Sequence, residues 1–239
     1  MGIYDINIIS DLLSQNTYPG RGIVIGKTSD GNKAVFAYFI MGRSENSRNR
    51  VFTVKDNAVF TEPFDASKVE DPSLIIYAAV RKTDNSIIVT NGNQTDTIFD
   101  FIKEGKSFEQ ALETRCFEPD SPNWTPRISG LLDFTGNDFT YKMSILKSAD
   151  AEGSACNRFT YNYTPINGLG HFIHTYNCDG NPIPTFSNEP ERVAVTDDID
   201  EYTNEIWNSL NEANKISLYV SYIDIATGAA ENRMINKNK

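Results

Sequence analysis

YPGRGIVIGKTSDGNKAVFAYFIMGRSENSRNRVF, residues 18–52, contains two apolar runs separated by a short polar segment, and this pattern decides how the chain is expected to fold. The runs at 22–27 and 33–41 flank Asp30-Gly31, a dipeptide that is typical of hairpin turns. We therefore predict a β-hairpin here, whose second strand is apolar enough to be buried.

The letters GIVIGKT in this segment resemble a phosphate-binding P-loop, which requires Gly, four residues and then Gly-Lys-Ser/Thr. Counting back from Gly26, the first glycine belongs at position 21, where this chain has Arg21. A P-loop also follows a strand and begins a helix, whereas strand-forming residues separate the glycines here. We therefore reject the P-loop interpretation, and any phosphate must be bound by other groups.

The charge balance restricts the possible partners. The 239 residues include 22 Lys and Arg against 32 Asp and Glu, which gives a net charge of −10. Such a surface repels polyanions, so we expect neither nucleic-acid binding nor membrane-surface binding. An anionic ligand would need a local cluster of basic residues.

Targeting signals and cysteine chemistry are also not expected. Residues 1–18 lack the basic region and the uninterrupted apolar run of a signal peptide, so a cytoplasmic location is predicted. Cys116, Cys156 and Cys178 are far apart without a Cys-x-x-Cys pair, which favours neither a disulfide scaffold nor a zinc site. The two histidines, three residues apart on a predicted strand, would face opposite sides, so we expect no bound metal.

Hairpins and two groups of helices predict an α+β layered domain. Further strand pairs are predicted at 74–81 with 86–90, 128–134 with 139–146 and 158–163 with 171–176, followed by a strand at 216–225. Helices are predicted at 5–13, 95–103, 107–115 and 197–210. The proline-rich segments 53–73 and 177–196 are interpreted as ordered loops.

An arginine-rich segment at 42–50 is the first candidate for binding an anion, because guanidinium, hydroxyl and amide groups hold phosphate oxygens well. The predicted hairpin brings Arg21 and Arg43 to the same end of the sheet. A solvated polar loop is the alternative. The candidate residues of this region are Arg21, Arg43, Ser44, Arg48, Asn49 and Arg50.

Two other polar segments follow predicted secondary structure. Asn91 and Gly92 precede a helix whose N-terminal N–H groups could face a polar ligand, although an ordinary helix cap explains them equally well. A stiff, proline-containing segment at 118–127 could carry a site or a simple turn with a surface ion pair. Its candidate residues are Glu118, Asp120, Asn123, Thr125 and Arg127.

Six motifs in order resemble the archaeal-type IMP cyclohydrolase family. They are Tyr-Pro-Gly-Arg-Gly at 18–22, Gly-Arg-Ser-x-x-Ser-Arg-Asn-Arg at 42–50, Asn-Gly-Asn-Gln-Thr at 91–95, Glu-Pro-Asp…Asn-x-Thr-Pro-Arg-Ile at 118–128, Gly-Leu-Gly at 168–170 and Thr-Tyr-x-x-Asp-Gly-x-Pro-x-Pro-x-Phe at 175–186. The resemblance implies the four-layer αββα fold of the N-terminal-nucleophile hydrolases, with mostly antiparallel sheets. It also divides the chain into an extension at 1–17, one domain at 18–226 and a polar tail at 227–239.

The resemblance further implies ring closure of 5-formamidoimidazole-4-carboxamide ribonucleotide to IMP and water. Both reacting groups lie on one ring, so neither a metal nor a cofactor is expected, and the protein must orient the groups and move protons. Tyr77 would donate to the formyl oxygen, Glu118 would accept a proton from the carboxamide nitrogen, and Arg43 would reinforce the oxyanion. The other candidates would bind the purine nucleotide monophosphate, and a homo-oligomer is expected.

Two alternatives remain open from the sequence. A non-catalytic nucleotide-binding protein of the same fold would not need Tyr77, Glu118 and Arg43 together. An amide hydrolase of the N-terminal-nucleophile class would need a terminal Ser, Thr or Cys, whereas this sequence begins with Met1-Gly2.

Overall fold

The computed structural model describes residue 2, residues 4–69 and residues 76–238, and it contains two β-sheets whose paired strands are all antiparallel within this part of the chain. Strands are numbered along the chain. The first sheet is made of β1 (Arg21–Lys27), β2 (Lys33–Met41), β10 (Leu169–His174), β11 (Glu191–Ala194), β12 (Lys215–Asp224) and β13 (Ala230–Asn236). Its strand order is β11-β10-β1-β2-β12-β13.

The second sheet follows the chain order from one edge to the other, β3-β4-β5-β6-β7-β8-β9. Its strands are β3 (Arg50–Lys55), β4 (Ala58–Pro63), β5 (Tyr77–Lys82), β6 (Ser86–Thr90), β7 (Arg127–Asp133), β8 (Thr140–Ser148) and β9 (Cys156–Tyr163). Every neighbouring pair of this sheet is therefore sequential, which requires only short or locally folded connections.

The described helices are few and short. They are α1 (Ile9–Gln15), α2 (Glu45–Arg48), α3 (Gln94–Lys103), α4 (Phe108–Glu113) and α5 (Ile199–Ser209), with a single 3-10 turn at Ala66–Lys68. Among the described residues, no helix is long and apolar enough to cross a membrane.

Strand β2 shows why the 18–52 segment determines the architecture. Phe36, Tyr38 and the other even-numbered apolar residues of this strand belong to a core cluster shared with the second sheet. Val35, Phe39 and the other odd-numbered ones belong to a separate cluster with residues of α1 and α5. Because successive side chains of a strand point to opposite faces, a strand that is buried on both faces needs a continuous apolar run.

A third apolar cluster joins α3 and α4 to the second sheet. Ile98 of α3 and Leu112 of α4 pack in the same cluster as Leu131 of β7 and Leu146 of β8. The second sheet therefore contributes to the cluster shared with the first sheet through some residues, and to a helix-facing cluster through others. The predicted α+β class is confirmed at this level.

Most of the predicted elements are confirmed to within a few residues. The predicted hairpin at 22–27 and 33–41 is β1 with β2. The predicted pair at 74–81 and 86–90 is β5 with β6, and the predicted pair at 128–134 and 139–146 is β7 with β8. Residues 74 and 75 of the predicted strand 74–81 lie outside the described residues. The final predicted strand is β12, and the predicted helices correspond to α1, α3, α4 and α5.

The predicted pairing of 158–163 with 171–176 is wrong. Strand β9 pairs with β8 at the edge of the second sheet, whereas β10 lies between β1 and β11 in the first sheet. Their burial differs accordingly, since every residue of β10 is buried and none of β9 is fully buried. Neighbours along the chain thus belong to different sheets.

The two segments interpreted as loops also contain strands. The 53–73 segment includes the end of β3 and all of β4, and the 177–196 segment includes β11. These strands are short, and β4 and β11 lack a clean alternation of buried and exposed residues, which removes the usual sequence signal. Strand β13 lies within the segment that the sequence analysis describes as a polar tail.

We expect Phe36→Ala to destabilise the protein by about 3–5 kcal/mol, because it leaves a cavity in the core cluster shared by the two sheets. Phe159→Ala is the matched control, since Phe159 is 42% exposed on the edge strand β9, and it should cost at most about 0.5–1 kcal/mol. Urea-induced unfolding measures both free energies. Equal losses in the two variants would contradict the assignment of Phe36 to the central core.

Candidate active site

An open pocket of about 310 Å3 lies at the end of the two sheets where β1 and β3 begin. Residues from both sheets and from four connecting segments contribute to it. It is lined by Tyr18, Arg21, Arg43, Ser44, Asn46, Ser47, Arg50, Glu118, Asp120, Asn123, Thr125, Tyr176 and Ile183. Eight of these residues are among the candidates from the sequence, and the fold brings them together from three separate segments.

Two buried arginines face this pocket from opposite sheets. Arg21 begins β1 and is 8% exposed, and Arg50 begins β3 and is 4% exposed. The Nε atom of Arg21 and the Nη1 atom of Arg50 are buried without a hydrogen-bond partner in the described part of the protein. Buried donors normally have a partner, so two unpaired guanidinium N–H groups beside one pocket are unusual in a folded protein.

Glu118 is the buried carboxylate next to these arginines, and it is 5% exposed. Burial raises its pKa above the usual value, although the charges of Arg21 and Arg127 act in the opposite direction. Burial opposes the positive charge of Arg21 as well, but Glu118 and nearby tyrosines outweigh it and raise the Arg21 pKa. Burial and then the charge of Arg21 lower the pKa of Arg50.

Tyr77 does not line the pocket, but it lies directly behind it. The strand register places Tyr77 opposite Thr61, and Thr61 opposite Phe52, which is two residues beyond Arg50. The hydroxyl of Tyr77 forms a 2.9 Å hydrogen bond with the hydroxyl of Tyr38. Tyr77 is thus buried one side-chain position deeper than the arginine of its own sheet.

Arg43 lies on the open side of the pocket, where it is held by the protein. Its Nη1 atom donates to the carboxylate of Asp179 and, at 2.8 Å, to the carbonyl of Gly180. Its guanidinium group lies 5.1 Å from the centre of the Tyr18 ring, which stacks on the Tyr176 ring at 5.8 Å. The cation and the two rings form one wall of the pocket.

A hydrogen-bonded chain continues from this wall. The Tyr176 hydroxyl is 2.6 Å from the Thr125 hydroxyl, which also donates to the carboxylate of Asp120. Burial raises the pKa of Tyr176 to about 12, although the charge of Arg21 and the bond to Thr125 lower it in part. Asn123 accepts a hydrogen bond from the Ile183 N–H through its side-chain oxygen at 3.1 Å. These contacts fix the 118–127 segment against the 175–186 segment.

The short helix α2 supplies the polar rim. The Ser44 hydroxyl caps the helix by accepting the N–H of Ser47 at 3.1 Å. Arg50 Nε donates to the Ser47 carbonyl at 2.9 Å, which orients the guanidinium group toward this rim. The side-chain oxygen of Asn46 is buried without a partner in the described residues.

Two candidates from the arginine-rich segment do not line the pocket. Arg48 donates to the Gly42 carbonyl and to the Asn214 side chain, at 3.1 Å each. Asn49 binds the backbone N–H and carbonyl of Asp65 through its side chain. Arg48 and Arg50 are both candidates from the same segment, but residues 45–48 form a helical turn, and only Arg50 lines the pocket.

Three other candidates make contacts within the protein beside the second sheet. Asn91 donates to the Pro126 carbonyl at 2.8 Å and accepts from the Ile128 N–H at 2.9 Å. Arg127 donates to the side chain of Gln94 at 2.7 Å. A Cβ at Gly92 would lie 2.3 Å from the Arg127 Nη1 atom, so this glycine allows the arginine to pack closely. Arg127 still acts on Glu118 through its charge.

The sequence argument missed several residues that line the pocket. They are Tyr18, Asn46, Ser47, Tyr176 and Ile183. All five lie within motifs quoted above, but a tyrosine or isoleucine in a motif carries no sign that it faces a site. Only the pairing of β10 with β1 brings Tyr176 next to Tyr18.

A second cavity, of about 550 Å3, lies at the other end of β3, and none of the predicted site residues lines it. Lys82, Lys103, Asp56 and Asp84 contribute charges of both signs to its walls. Within the described ranges, no group of three or more His, Cys, Asp or Glu side chains is arranged to hold a metal ion. The pocket containing Arg21, Arg50 and Glu118 is therefore the candidate active site.

The raised pKa of Glu118 predicts that Glu118→Gln gains stability relative to the wild type as the pH rises from 4.5 to 7. A carboxylate whose pKa rises on folding costs stability above its usual pKa of 4.5, and this cost is absent below that pH. The gain in Tm should therefore shrink as the pH is lowered toward 4.5. Thermal unfolding across this range, with the exposed Glu113→Gln as control, measures it. A gain that does not depend on pH would contradict the burial argument.

Comparison with known proteins agrees with the motifs. A sequence profile of the family described as IMP cyclohydrolase-like protein matches residues 18–228. The IMP cyclohydrolase of Methanococcus aeolicus is 31% identical over 166 residues, which are 67% of this chain and 75% of the relative.

Two other archaeal relatives match over a shorter region. The IMP cyclohydrolase of Methanopyrus kandleri is 34% identical over 120 residues, which are 48% of this chain and 59% of the relative. That of Methanococcus maripaludis is 39% identical over 120 residues, 48% of this chain and 58% of the relative. The chain thus spans less than two thirds of the length of these two relatives. Because the family profile covers most of the chain, the protein belongs to the IMP cyclohydrolase-like family.

Proposed function

We propose that this protein is an IMP cyclohydrolase, which closes the ring of 5-formamidoimidazole-4-carboxamide ribonucleotide to give IMP and water. One structural observation supports the proposal in addition to family membership. Two buried guanidinium groups, those of Arg21 and Arg50, present unpartnered N–H groups beside one buried carboxylate, that of Glu118. This gives a local excess of positive charge in a protein whose net charge is −10.

The phosphate is assigned to the open side of the pocket. Arg43 and Arg50 both belong to the segment that carries the Ser44 and Ser47 hydroxyls, and all four residues line the pocket. Guanidinium and hydroxyl donors on one short segment suit the oxygens of a phosphate monoester. Arg43 is already paired with Asp179, which holds it in place and leaves Arg50 with the free N–H group.

The reacting groups are assigned to the side where Arg21 and Glu118 meet. The carboxamide nitrogen attacks the formyl carbon and loses a proton, for which the Glu118 carboxylate is the acceptor. Burial raises the Glu118 pKa, so its protonated form is able to return this proton to the hydroxyl that leaves as water. Arg21 and the hydroxyl of Tyr77, which lies behind it, would stabilise the negative charge that develops on the formyl oxygen.

The remaining pocket residues would orient the nucleotide. Asp120, Asn123 and Thr125 lie on the segment beside Glu118, and the backbone N–H groups of Asn123 and Thr125 both donate to Asp120, which keeps that segment rigid. Rigid positioning matters here because the reaction is intramolecular and gains most from holding the formyl group in its reactive rotamer. Arg48, Asn49, Asn91, Gly92 and Arg127 would support this pocket from outside it.

We also propose that the architecture is the four-layer αββα arrangement of the N-terminal-nucleophile hydrolases. In support, one apolar cluster is shared by the two sheets, and each sheet shares another with helices. The division into an extension, a domain at 18–226 and a tail is part of this proposal, as are a homo-oligomeric state and a cytoplasmic location.

We expect the purified protein to convert the formamido ribonucleotide to IMP in the presence of EDTA, because orientation and proton transfer suffice for this ring closure. Absorbance at a wavelength that distinguishes substrate from product follows the turnover. IMP affinity is measured in parallel by calorimetry. Binding without any rate above the uncatalysed background would contradict the enzymatic proposal and favour a nucleotide-binding protein of the same fold.

The phosphate assignment predicts that Arg50→Ala weakens IMP binding by about 1.5–3 kcal/mol, the usual cost of losing a charge-assisted hydrogen bond. Arg48→Ala is the matched control, because Arg48 contacts Asn214 outside the pocket, and it should leave the Kd within about twofold. Calorimetric titration of both variants with IMP and with inosine tests whether the loss depends on the phosphate. Equal losses for IMP and inosine would place the phosphate elsewhere.

A further inference from the structure

Two buried tyrosines from different sheets form a hydrogen-bonded pair beneath the pocket. Tyr38 of β2 is fully buried and Tyr77 of β5 is 5% exposed, and their hydroxyl oxygens are 2.9 Å apart. Both belong to the apolar cluster shared by the two sheets. The bond therefore joins the sheets through polar atoms in an otherwise apolar layer.

The pair lies at a similar level relative to the arginines in both sheets, on the neighbouring strand in the first sheet and two strands away in the second. Tyr38 lies opposite Ile23, which is two residues beyond Arg21 on β1. Tyr77 lies at the level of Phe52, which is two residues beyond Arg50 on β3. Since residues two apart on a strand share a face, each tyrosine lies one side-chain position beneath the arginine of its sheet.

The surroundings determine the direction of this hydrogen bond. The Tyr38 ring packs against Phe52 at 5.5 Å, and Tyr77 is the only hydrogen-bond partner of its hydroxyl among the described residues. If Tyr77 donated the hydrogen, the hydroxyl hydrogen of Tyr38 would be left unpaired in the apolar core, which is costly. The Tyr77 hydroxyl has no other partner among the described residues either, but Tyr77 is 5% exposed and Tyr38 is fully buried, so we infer that Tyr38 donates and that the hydrogen of Tyr77 is left for an acceptor in the pocket.

We propose that Tyr38 is a positioning residue that orients the hydroxyl hydrogen of Tyr77 toward the pocket, an inference that rests on the proposed cyclohydrolase function. A hydroxyl that accepts one hydrogen bond becomes a stronger donor in the next. Tyr38 thus sets both the direction and the strength of the hydrogen bond that Tyr77 gives to the developing oxyanion. Tyr38 touches no substrate atom itself.

A double-mutant cycle on kcat tests this inference. We expect Tyr77→Phe to lower kcat by about 10²–10⁴-fold, as for a positioned proton donor, and Tyr38→Phe to lower it by about tenfold. IMP affinity should stay within about twofold in both variants, because the effect belongs to the transition state. The Tyr38→Phe/Tyr77→Phe variant should have the same kcat as Tyr77→Phe, since Tyr38 then has no hydroxyl to orient.

Tyr202→Phe is the matched control, because Tyr202 is a fully buried tyrosine of another apolar cluster whose hydroxyl has no partner in the described chain. It should leave kcat unchanged. If Tyr38→Phe acted only by disturbing the fold, it would lower kcat by the same factor in the wild type and in Tyr77→Phe. Such additive losses would overturn the inference. A Tyr38→Phe or Tyr77→Phe variant with wild-type kcat would also overturn it. An inactive wild-type protein would instead reject the proposed function, and the inference with it.

Discussion

Arg21, Arg50 and Glu118 form a buried charge cluster that the two sheets must hold together. Removing ionised groups from water is expensive unless they are paired and hydrogen-bonded. Here two cations face one carboxylate, and two guanidinium N–H groups have no partner among the described residues. The cluster persists because the surrounding sheets hold it, and the phosphate-bearing substrate that we propose would give its unpaired N–H groups a partner.

The surrounding backbone is shaped to hold these groups. Gly20, with a φ of +77°, precedes Arg21, and a Cβ there would lie 2.3 Å from the Thr175 hydroxyl oxygen and 2.5 Å from the Tyr176 ring. The Thr175 hydroxyl in turn accepts the Arg21 N–H at 3.1 Å. Only a residue without a side chain lets the start of β1 approach the end of β10 this closely. The close approach places Arg21 and the Tyr18–Tyr176 wall in one pocket.

The sequence predicts local structure well and the site only in part, for physical reasons. Hairpins such as β1–β2 are specified by a turn dipeptide between apolar runs, which are local signals. The assignment of β9 and β10 to different sheets depends on which sheet has room for a fully buried strand, and neighbouring residues do not carry that information. Likewise, Arg48 and Arg50 look equivalent in the sequence, and a single helical turn directs them to different surroundings.

The site also depends on how the two sheets are placed against each other, because each sheet supplies one arginine and, one position deeper, one tyrosine. Neither sheet alone could present Arg21 with Arg50, or join Tyr38 to Tyr77. Close-packed cores transmit small displacements rather than absorbing them. Phe36 and Phe52 belong to this shared core, so their packing contributes to the spacing between the two arginines. In this fold the packing of the core and the geometry of the site are coupled, because the same apolar residues hold the two sheets that carry the site residues. Apolar residues outside the pocket therefore influence its chemistry.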